Sequence, residues 1–259
     1  MEYVSLASFA ENVFATGFDT VLFLLVFMGE LGMPFGSYGK TYRAERHAHE
    51  FIDRYNWETF KRALAEARRR KYVAPVGRGR RSNPEITELG RKRLRAVTPM
   101  YQKKRPWDRR IYLVTYDIPE IRHRDRDYLR KYLTTIGCGK LQASVWITPY
   151  DPKVLVEEFV NKHTLSGTVI VSNTGIDGSI GDEDIQTLVA RIYHLEEINT
   201  SHERWISSVR SQNITPDQFL SYLAILQTDP QLPFILLPRY WKGDKAYALI
   251  ESFMKRIGK

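Results

Sequence analysis

The sequence predicts an α+β protein in three parts: a winged helix-turn-helix domain over residues 1–98, a ferredoxin-like (βαββαβ) domain over residues 107–173 and a helical domain over residues 182–259. Two observations carry this prediction. Helical patterns lead into a short basic hairpin in the first part, and strand-like apolar runs alternate with amphipathic helices in the second. The length of 259 residues exceeds the usual size of one domain, so several units are expected.

The composition is that of a folded cytoplasmic protein. Hydrophobic residues make up 43% and aromatic residues 12% of the chain, which is enough to build cores and excludes general disorder. The single cysteine, Cys138, excludes an internal disulfide and a zinc site of several cysteines, and it suits a reducing compartment. The most apolar run, Thr20–Gly29, is about half as long as a membrane span, so no membrane association is expected.

Positive charge is concentrated in one stretch of the chain. The net charge is +9, but residues 1–60 hold four Lys/Arg against eight Asp/Glu, and residues 106–259 hold nineteen of each. Residues 61–105 hold sixteen Lys/Arg against three Asp/Glu. A local excess of this kind is typical of a surface that binds phosphate groups, so we expect a nucleic-acid partner.

Three helices are predicted ahead of the basic hairpin. The first is an apolar helix over residues 19–31, and the second lies near residues 44–54. The third covers residues 56–73, with Asn56 as its N-cap. Its buried stripe, at the spacing i, i+4, i+7, consists of Phe60, Leu64 and Ala67.

The segment after the third helix is typical of the hairpin of a winged helix. Residues 72–76 predict a strand, residues 77–84 ("GRGRRSNP") a tip, and residues 85–90 the return into another helix. Small polar and basic residues near the start of a helix can reach base edges, and arginines between glycines can approach the DNA backbone or minor groove. The candidate DNA-binding residues are Thr59, Lys61, Arg62, Arg69, Arg78, Arg80 and Arg81.

Different roles are expected for these candidates. Thr59 and Arg62 are the candidates for reading base edges, and the three hairpin arginines are the candidates for backbone or minor-groove contact. For residues 68–71 an alternative stays open, because a basic helix end that complements the helix dipole can be solvated without binding anything.

The central part alternates between strand and helix patterns. The predicted elements are a strand over residues 110–117, a helix over 124–137, a strand over 140–148, a helix over 152–163 and a strand over 167–172. The strand over residues 140–148 is expected to be half covered, with Ser144 and Trp146 on the face opposite its apolar side chains. A small sheet with helices on one face follows from this order.

The first of these strands ends on a carboxylate, Asp117. Magnesium usually takes one or two carboxylates together with water and substrate phosphates, so a site with one aspartate per subunit needs a symmetric dimer. Asp125 and Asp127 lie further along, but the arginines between them can neutralise both. The alternative is that Asp117 caps the turn or pairs with a basic neighbour.

Residues 114–151 resemble a known family. "VTYDIPE" (residues 114–120) and "RDYLRKYLTTIGCGKLQASVWITPYD" (residues 126–151) are similar to the core of the small CRISPR-associated endonuclease of the spacer-acquisition complex. The resemblance implies that Asp117 is a catalytic divalent-metal ligand facing its counterpart in a dimer. Under this alternative the protein is a Mg²⁺-dependent endonuclease.

The end of the chain extends the resemblance to nearly its whole length. "DPQLPFILLPRYWKGDKA" (residues 229–246) follows helices predicted over residues 184–206 and 215–226. Together with the winged helix and the endonuclease-like core, it resembles the PaaX family, bacterial repressors of phenylacetate degradation genes. This resemblance implies a homodimeric repressor, released from DNA in the type members by an aryl-acyl-coenzyme A. The candidates for lining an effector pocket are Trp205, Tyr222 and Trp241. The alternative is that these aromatic side chains belong to the hydrophobic core.

Other chemistry is weakly supported. His47 and His49 lack the spacing that places two metal ligands on one helix face. Cys138 has neither a helix N-terminus nor an evident histidine base, so a catalytic thiol is not expected. The glycines of residues 173–184 lack the ending of a phosphate-binding loop.

The sequence therefore predicts a homodimeric, sequence-specific DNA-binding transcriptional regulator. We expect a repressor without a cofactor, whose partners are double-stranded DNA, a second copy of the chain and a small-molecule effector. The central domain is expected to serve dimerisation and spacing. The alternatives are the metal-dependent nuclease and an architectural DNA-binding component of an adaptation-like complex.

Overall fold

The structure is a computed structural model that describes residues 17–30, 57–76, 83–174, 183–209 and 214–257. The chain packs into two compact units. The first contains the described residues up to Tyr101 together with those of 201–228 and 242–257, and the second contains 102–200 and 229–241. Residues 182–259, predicted as one helical domain, thus contribute to both units.

The described N-terminal part of the first unit contains two of the three predicted helices, then the hairpin strands and a further helix. Its elements are α1 (Gly17–Glu30), α2 (Trp57–Arg69), β1 (Val73–Val76), β2 (Asn83–Ile86) and α3 (Glu88–Val97). Strands β1 and β2 are antiparallel and pair from Val73 with Ile86 to Val76 with Asn83. The helix predicted near residues 44–54 and the N-cap Asn56 lie outside the described residues.

The second unit is built on a four-stranded antiparallel sheet with the strand order β4-β5-β3-β6. The elements are β3 (Ile111–Asp117), α4 (His123–Thr135), β4 (Gly139–Gln142), β5 (Val145–Thr148), α5 (Lys153–His163) and β6 (Thr168–Thr174), with a short 3-10 helix (Glu120–Arg122) ahead of α4. This βαββαβ order and sheet topology confirm the predicted ferredoxin-like domain.

One strand prediction in this domain is wrong. Residues 140–148 form two strands rather than one, because the chain reverses between Gln142 and Val145, which pair with each other. An alternating pattern fits either arrangement, since both strands of a hairpin alternate between the two faces of the sheet. Trp146, predicted on the outer face, is buried under the helices.

Four further helices follow the sheet. They are α6 (Ile185–Ile192), α7 (Leu195–Ser208), α8 (Pro216–Thr228) and α9 (Gly243–Ile257), with a 3-10 helix (Phe234–Leu236) between the last two. The single helix predicted over residues 184–206 is interrupted, because His194 adopts a left-handed φ of 53° and separates α6 from α7. None of the helices in the described ranges is long and apolar enough to cross a membrane.

The first unit has one hydrophobic core. The middle of α1 is apolar on all sides and lies within it, as expected for a helix surrounded by protein. Phe60 and Ala67 of α2 are buried there as predicted, and Leu64 packs against them. Helices α8 and α9 complete the core with Phe219, Leu220, Tyr222, Leu223, Leu226, Ala246 and Ile250.

The two faces of the sheet are covered differently. One face packs against α4 and α5 through Val114, Tyr116 and Trp146. The opposite face is covered near the start of β3, where Ile111 and Ile147 pack with α6. Towards the end of β3 the same face is open, and its side chains there are partly or largely exposed: Thr115, Asp117, Val145, Thr168 and Ile170. These five residues are called the open sheet face below.

A single tyrosine ties the sheet to the segment after α6. The Tyr193 hydroxyl lies 2.8 Å from the carbonyl oxygen of Ile147 and 3.0 Å from that of Gly137, and it accepts a hydrogen bond of 3.1 Å from the amide of Gly139. A Cβ atom on Gly139 would lie 2.9 Å from the Tyr193 ring. Burial raises the pKa of Tyr193.

Candidate nucleic-acid interface

Helix α2 combines a buried stripe with a cationic surface. Phe60 and Ala67 point into the core, and the remaining faces carry the positive charge. The cationic side chains exposed on the described part of the helix and directly after it are Lys61, Arg62, Arg68, Arg69, Arg70 and Lys71. We call these six residues the α2 basic surface. Lys61, Arg62 and Arg69, three of the predicted DNA-binding residues, are thus brought together on one helix.

One acid neutralises part of the α2 basic surface. Glu66 accepts two hydrogen bonds of 2.8 Å from Arg69 and one of 2.5 Å from Arg70. These hydrogen bonds lower the pKa of Glu66 to about 2, so the carboxylate is charged at neutral pH. Arg69 is therefore held by a neighbour on its own helix, and only rearrangement of this contact would leave it free for phosphate.

Arg62 is differently placed. Its side chain is exposed, and it forms no hydrogen bond or ion pair with any residue in the part of the chain that the structure describes. The other candidate for reading bases, Thr59, lies one turn earlier in α2, and its side chain is outside the described residues. A guanidinium in this position can form the bidentate contact that guanine offers in the major groove.

The end of α2 fixes the start of the hairpin. Lys71 has a left-handed φ of 61°, and the amide of Tyr72 donates to the carbonyl of Ala67 at 2.9 Å, which is the pattern that closes many helices. The hydroxyl of Thr87 donates to the carbonyl of Lys71 at 2.7 Å. The predicted hairpin arginines, Arg78, Arg80 and Arg81, lie outside the described residues.

Helix α3 is anchored on both sides. Thr87 caps it by accepting a hydrogen bond of 3.1 Å from the amide of Gly90. A Cβ atom on Gly90 would lie 2.3 Å from the carbonyl oxygen of Tyr72, so glycine permits the close approach of α3 to β1. Arg93 pairs with Asp19 of α1 through two hydrogen bonds.

Asp117 stands alone as a possible metal ligand. It is exposed at the end of β3, and no group of three or more His, Cys, Asp or Glu that could hold a metal ion occurs among the described residues. Asp125 and Asp127 are engaged at 3.7 Å by Arg122 and at 3.6 Å by Arg130, respectively. One carboxylate fits a metal site only if a second molecule supplies the rest.

The three aromatic residues considered for an effector pocket lie in different parts of the structure. Trp205 and Tyr222 are buried in the core of the first unit with ring centroids 5.1 Å apart. Trp241 belongs to the second unit and packs against its α6-facing core. Trp205 and Tyr222 thus belong to a different unit from Trp241.

Comparison with known families agrees with the fold. The family model described as the PaaX protein central Cas2-like domain matches residues 104–186, and that of the PaaX-like protein C-terminal domain matches residues 193–259. The chain belongs to the PaaX family. Members of the PaaX family are generally transcriptional regulators of phenylacetate catabolism. The central Cas2-like match covers the four-stranded sheet and Asp117.

A solved structure extends the similarity to most of the chain. The uncharacterized protein Rv0674 from Mycobacterium tuberculosis is 19% identical, with a TM-score of 0.57 over 93% of this chain and 98% of that one. At this identity the likeness concerns the fold alone. No curated protein matches the sequence.

Sequence reasoning missed Glu66 as part of this surface. The signal was present, because Glu66 precedes Arg69 and Arg70 by three and four residues, the spacing at which side chains meet on a helix. It also missed the pair between Asp19 and Arg93, for which no local spacing gives a signal.

Proposed function

We propose that this PaaX-family protein is a homodimeric, sequence-specific DNA-binding transcriptional repressor that uses α2 and the hairpin of a winged helix. The observation that carries the proposal is the position of Arg62. It is exposed on α2 and has no hydrogen bond or ion pair with the described residues, and it lies opposite the stripe that buries Phe60 and Ala67. A helix held in this way can enter the major groove without losing its own core.

The candidate residues take separate roles in this proposal. Arg62 and Thr59 read base edges, while Lys61 and Arg69 contact phosphates from the sides of α2. The arginines of the hairpin tip follow the backbone or enter the minor groove. Arg69 requires an exchange of Glu66 for phosphate, so its contribution is smaller than that of a free arginine.

Dimerisation is proposed through the open sheet face. Thr115, Val145 and Ile170 present apolar and small polar groups on a sheet surface that none of the described helices of the second unit covers, and Ile170 is 54% exposed. A second copy of the chain would bury this surface and place two DNA-binding helices in one particle. Two half-sites on the DNA then follow from the two-fold symmetry.

The repressor is proposed to act in the cytoplasm and to be released by a small molecule. The free thiol of Cys138 is compatible with a reducing compartment. An acyl-coenzyme A is the effector that the family resemblance suggests, and the described residues single out no site for it.

A nuclease remains the second candidate because Asp117 is exposed on the open sheet face itself. A two-fold dimer through this face would bring the Asp117 side chains of both copies towards one another. Two carboxylates, water and the DNA phosphates could then hold a magnesium ion.

One gel experiment separates these functions. End-labelled DNA from upstream of the protein's own gene, and unrelated DNA, are incubated with the protein in magnesium or in EDTA and then run on native and denaturing gels. A repressor shifts the upstream DNA alone, with or without metal, and leaves the strands intact. Magnesium-dependent shortening that disappears in Asp117→Ala identifies the nuclease. Equal shifts of both DNAs without shortening identify the architectural protein.

A further inference from the structure

The second unit contains a cleft built from two similar tripeptides. Pro106-Trp107-Asp108 lies just before β3, and Pro149-Tyr150-Asp151 lies just after β5. Because Tyr112 of β3 pairs with Thr148 of β5 in an antiparallel register, both tripeptides reach the same end of the sheet. They line an open cleft with a volume of about 400 Å³.

The aromatic rings of the cleft are held in place by their polar ends. The indole Nε1 of Trp107 donates to the carbonyl of Arg110 at 2.8 Å, and the hydroxyl of Tyr150 donates to the carbonyl of Gln231 at 3.1 Å. These hydrogen bonds use the only N–H and O–H groups of the two side chains. Neither side chain therefore has a donor left for a ligand, and Trp107 also packs against the core of the second unit.

The carboxylates of the cleft are also fixed. Asp108 accepts hydrogen bonds from the amide of Arg110 at 3.0 Å and from the hydroxyl of Tyr112 at 2.5 Å. Asp151 accepts one of 2.9 Å from the amide of Lys153. A carboxylate has about four acceptor positions, so both groups retain the capacity to bind another donor.

The carboxylates of Asp108 and Asp151 both raise the pKa of Tyr112. The pKa of Tyr112 is raised first by its hydrogen bond to Asp108 and, to a lesser degree, by the charge of Asp151, while Arg110 acts in the opposite direction. The hydrogen bond from Tyr112 lowers the pKa of Asp108, which is charged at neutral pH. Two carboxylates thus line the cleft together with the rings of Trp107 and Tyr150.

Two arginines near the cleft have to be weighed against this charge. Arg105 donates to the carbonyl of Leu232 at 3.0 Å, and its guanidinium lies 4.6 Å from the ring centre of Phe234. Its charge also reaches the cleft, because it acts to lower the pKa of Tyr150 against the larger effect of burial. Arg110 is exposed and lowers the pKa of Asp108 by its charge. Arg110 therefore offsets part of the charge of Asp108.

We propose that this cleft binds a small organic cation, with a flat amidinium, guanidinium or ammonium group between the two carboxylates and an apolar body against the rings of Trp107 and Tyr150. The carboxylates supply charge-assisted hydrogen bonds, and the ring faces attract the cation through their quadrupoles. Proline rings on both sides add apolar contact. The site would repel an anion such as an acyl-coenzyme A, and it does not depend on DNA binding.

Three nearly identical probes test the charge preference. Benzamidine, benzamide and benzoate have the same shape and differ in charge, and each is titrated into the full-length protein in a calorimeter. Benzamidine is expected to bind at least about tenfold more tightly than benzamide, with benzoate the weakest, because two anionic groups and two ring faces favour a cation. Equal binding of benzamidine and benzamide, or no binding of benzamidine, would overturn the proposal.

Variants locate the site. The double variant Asp108→Asn, Asp151→Asn keeps acceptor oxygens for the local turns and should lower benzamidine affinity at least about tenfold. The control Glu157→Gln, Glu158→Gln removes the same charge from exposed positions of α5 and should leave affinity unchanged. Arg110→Gln should increase affinity, since it removes the competing cation. Circular dichroism spectra and melting temperatures identify any variant that has lost its fold. Equal losses in both double variants would contradict a local site.

Discussion

Arg93 of α3 donates two hydrogen bonds, of 2.9 and 2.8 Å, to the two carboxylate oxygens of Asp19 on α1, across 74 residues of sequence. The two ends of this pair differ in environment. The Asp19 side chain is fully buried, whereas that of Arg93 is 35% exposed. The pair joins α1 to α3, the helix that follows the hairpin. It therefore stabilises the part of the first unit against which α2 packs.

This asymmetry predicts unequal effects of two substitutions. Arg93→Met removes the guanidinium from a buried carboxylate and should lower the free energy of unfolding by about 3–5 kcal/mol. Asp19→Asn leaves a guanidinium that water can reach, so its cost should be clearly smaller. Urea denaturation measures both. Lys92→Met, an exposed neighbour on α3, is the control and should change the stability by less than about 0.5 kcal/mol.

The contacts of Glu66 predict a variant that binds DNA more tightly. Glu66→Gln releases Arg69 and Arg70 from a shared carboxylate and adds one net positive charge to the α2 basic surface. The logarithm of the binding constant should then fall more steeply with the logarithm of salt concentration, by about one unit of slope. Fluorescence anisotropy at several salt concentrations measures this slope.

A control separates this local effect from net charge. Glu183 pairs with Arg191 of α6 at 2.8 Å in the second unit, so Glu183→Gln makes the same change in charge elsewhere. It should leave the slope nearly unchanged. If both variants steepen the slope equally, the gain belongs to total charge, and α2 is not the surface in contact with DNA.

Arg62 and Arg68 provide a matched pair for testing base recognition. Both are exposed arginines of α2, one near its start and one in its last turn. Arg62→Ala should lower the discrimination between specific and unrelated DNA by about 1–3 kcal/mol, as loss of a bidentate base contact does. Arg68→Ala should weaken binding to every sequence alike. A uniform loss with Arg62→Ala would make that residue a phosphate contact.

Local sequence patterns predicted most helices and strands of the fold. They failed where the end of an element depends on contacts with residues far away in the sequence. The stripe of Phe60, Leu64 and Ala67 was readable because helical spacing alone selects the buried face. The hairpin of β4 and β5 was not, since alternation is the same in one strand or two. The break at His194 was missed as well, because the hydroxyl of Tyr193 bonds to backbone groups more than 40 residues away.

In the candidate site, too, the sequence predicted what depends on local patterns and missed what depends on contacts between side chains. The charge of residues 61–105 predicted an exposed basic surface in this part of the chain, since charge density is a property of the sequence itself. Which of its arginines are already engaged depends on rotamers and on Glu66, so the sequence alone did not distinguish Arg69 from Arg62. The cleft of the second unit joins residues about 40 positions apart along the chain, and it becomes visible only when β3 and β5 are paired.

The hydroxyl of Tyr193 is expected to be worth more than that of a typical surface tyrosine. Tyr193→Phe leaves the carbonyl of Ile147 and the amide of Gly139 without this partner and should cost about 1–3 kcal/mol. Tyr240→Phe is the control, because its hydroxyl bonds to Glu196 at an exposed position. Thermal and urea denaturation of the two variants should differ. Equal stabilities would show that water replaces the Tyr193 contacts.

Cys138 predicts an alkaline decline in stability. It is buried, and burial raises the pKa of its thiol to about 12, whereas an unfolded cysteine titrates near about 8.5. Between these values the folded chain keeps a proton that the unfolded chain has lost. The full stability is therefore present below about pH 8.5 and decreases as the pH rises towards 12, by up to about 1.4 kcal/mol per pH unit.

Comparison with Cys138→Ala isolates this contribution, because the chain has a single cysteine. Urea denaturation of both proteins at pH 8, 9 and 10, in the presence of a reducing agent, gives the difference in their free energies of unfolding. Loss of the sulfur atom alone makes the difference in free energy of unfolding the same at every pH. Titration of the thiol makes this difference shrink as the pH rises. Parallel curves over this range would show that the thiol ionises as easily in the folded protein as in the unfolded chain.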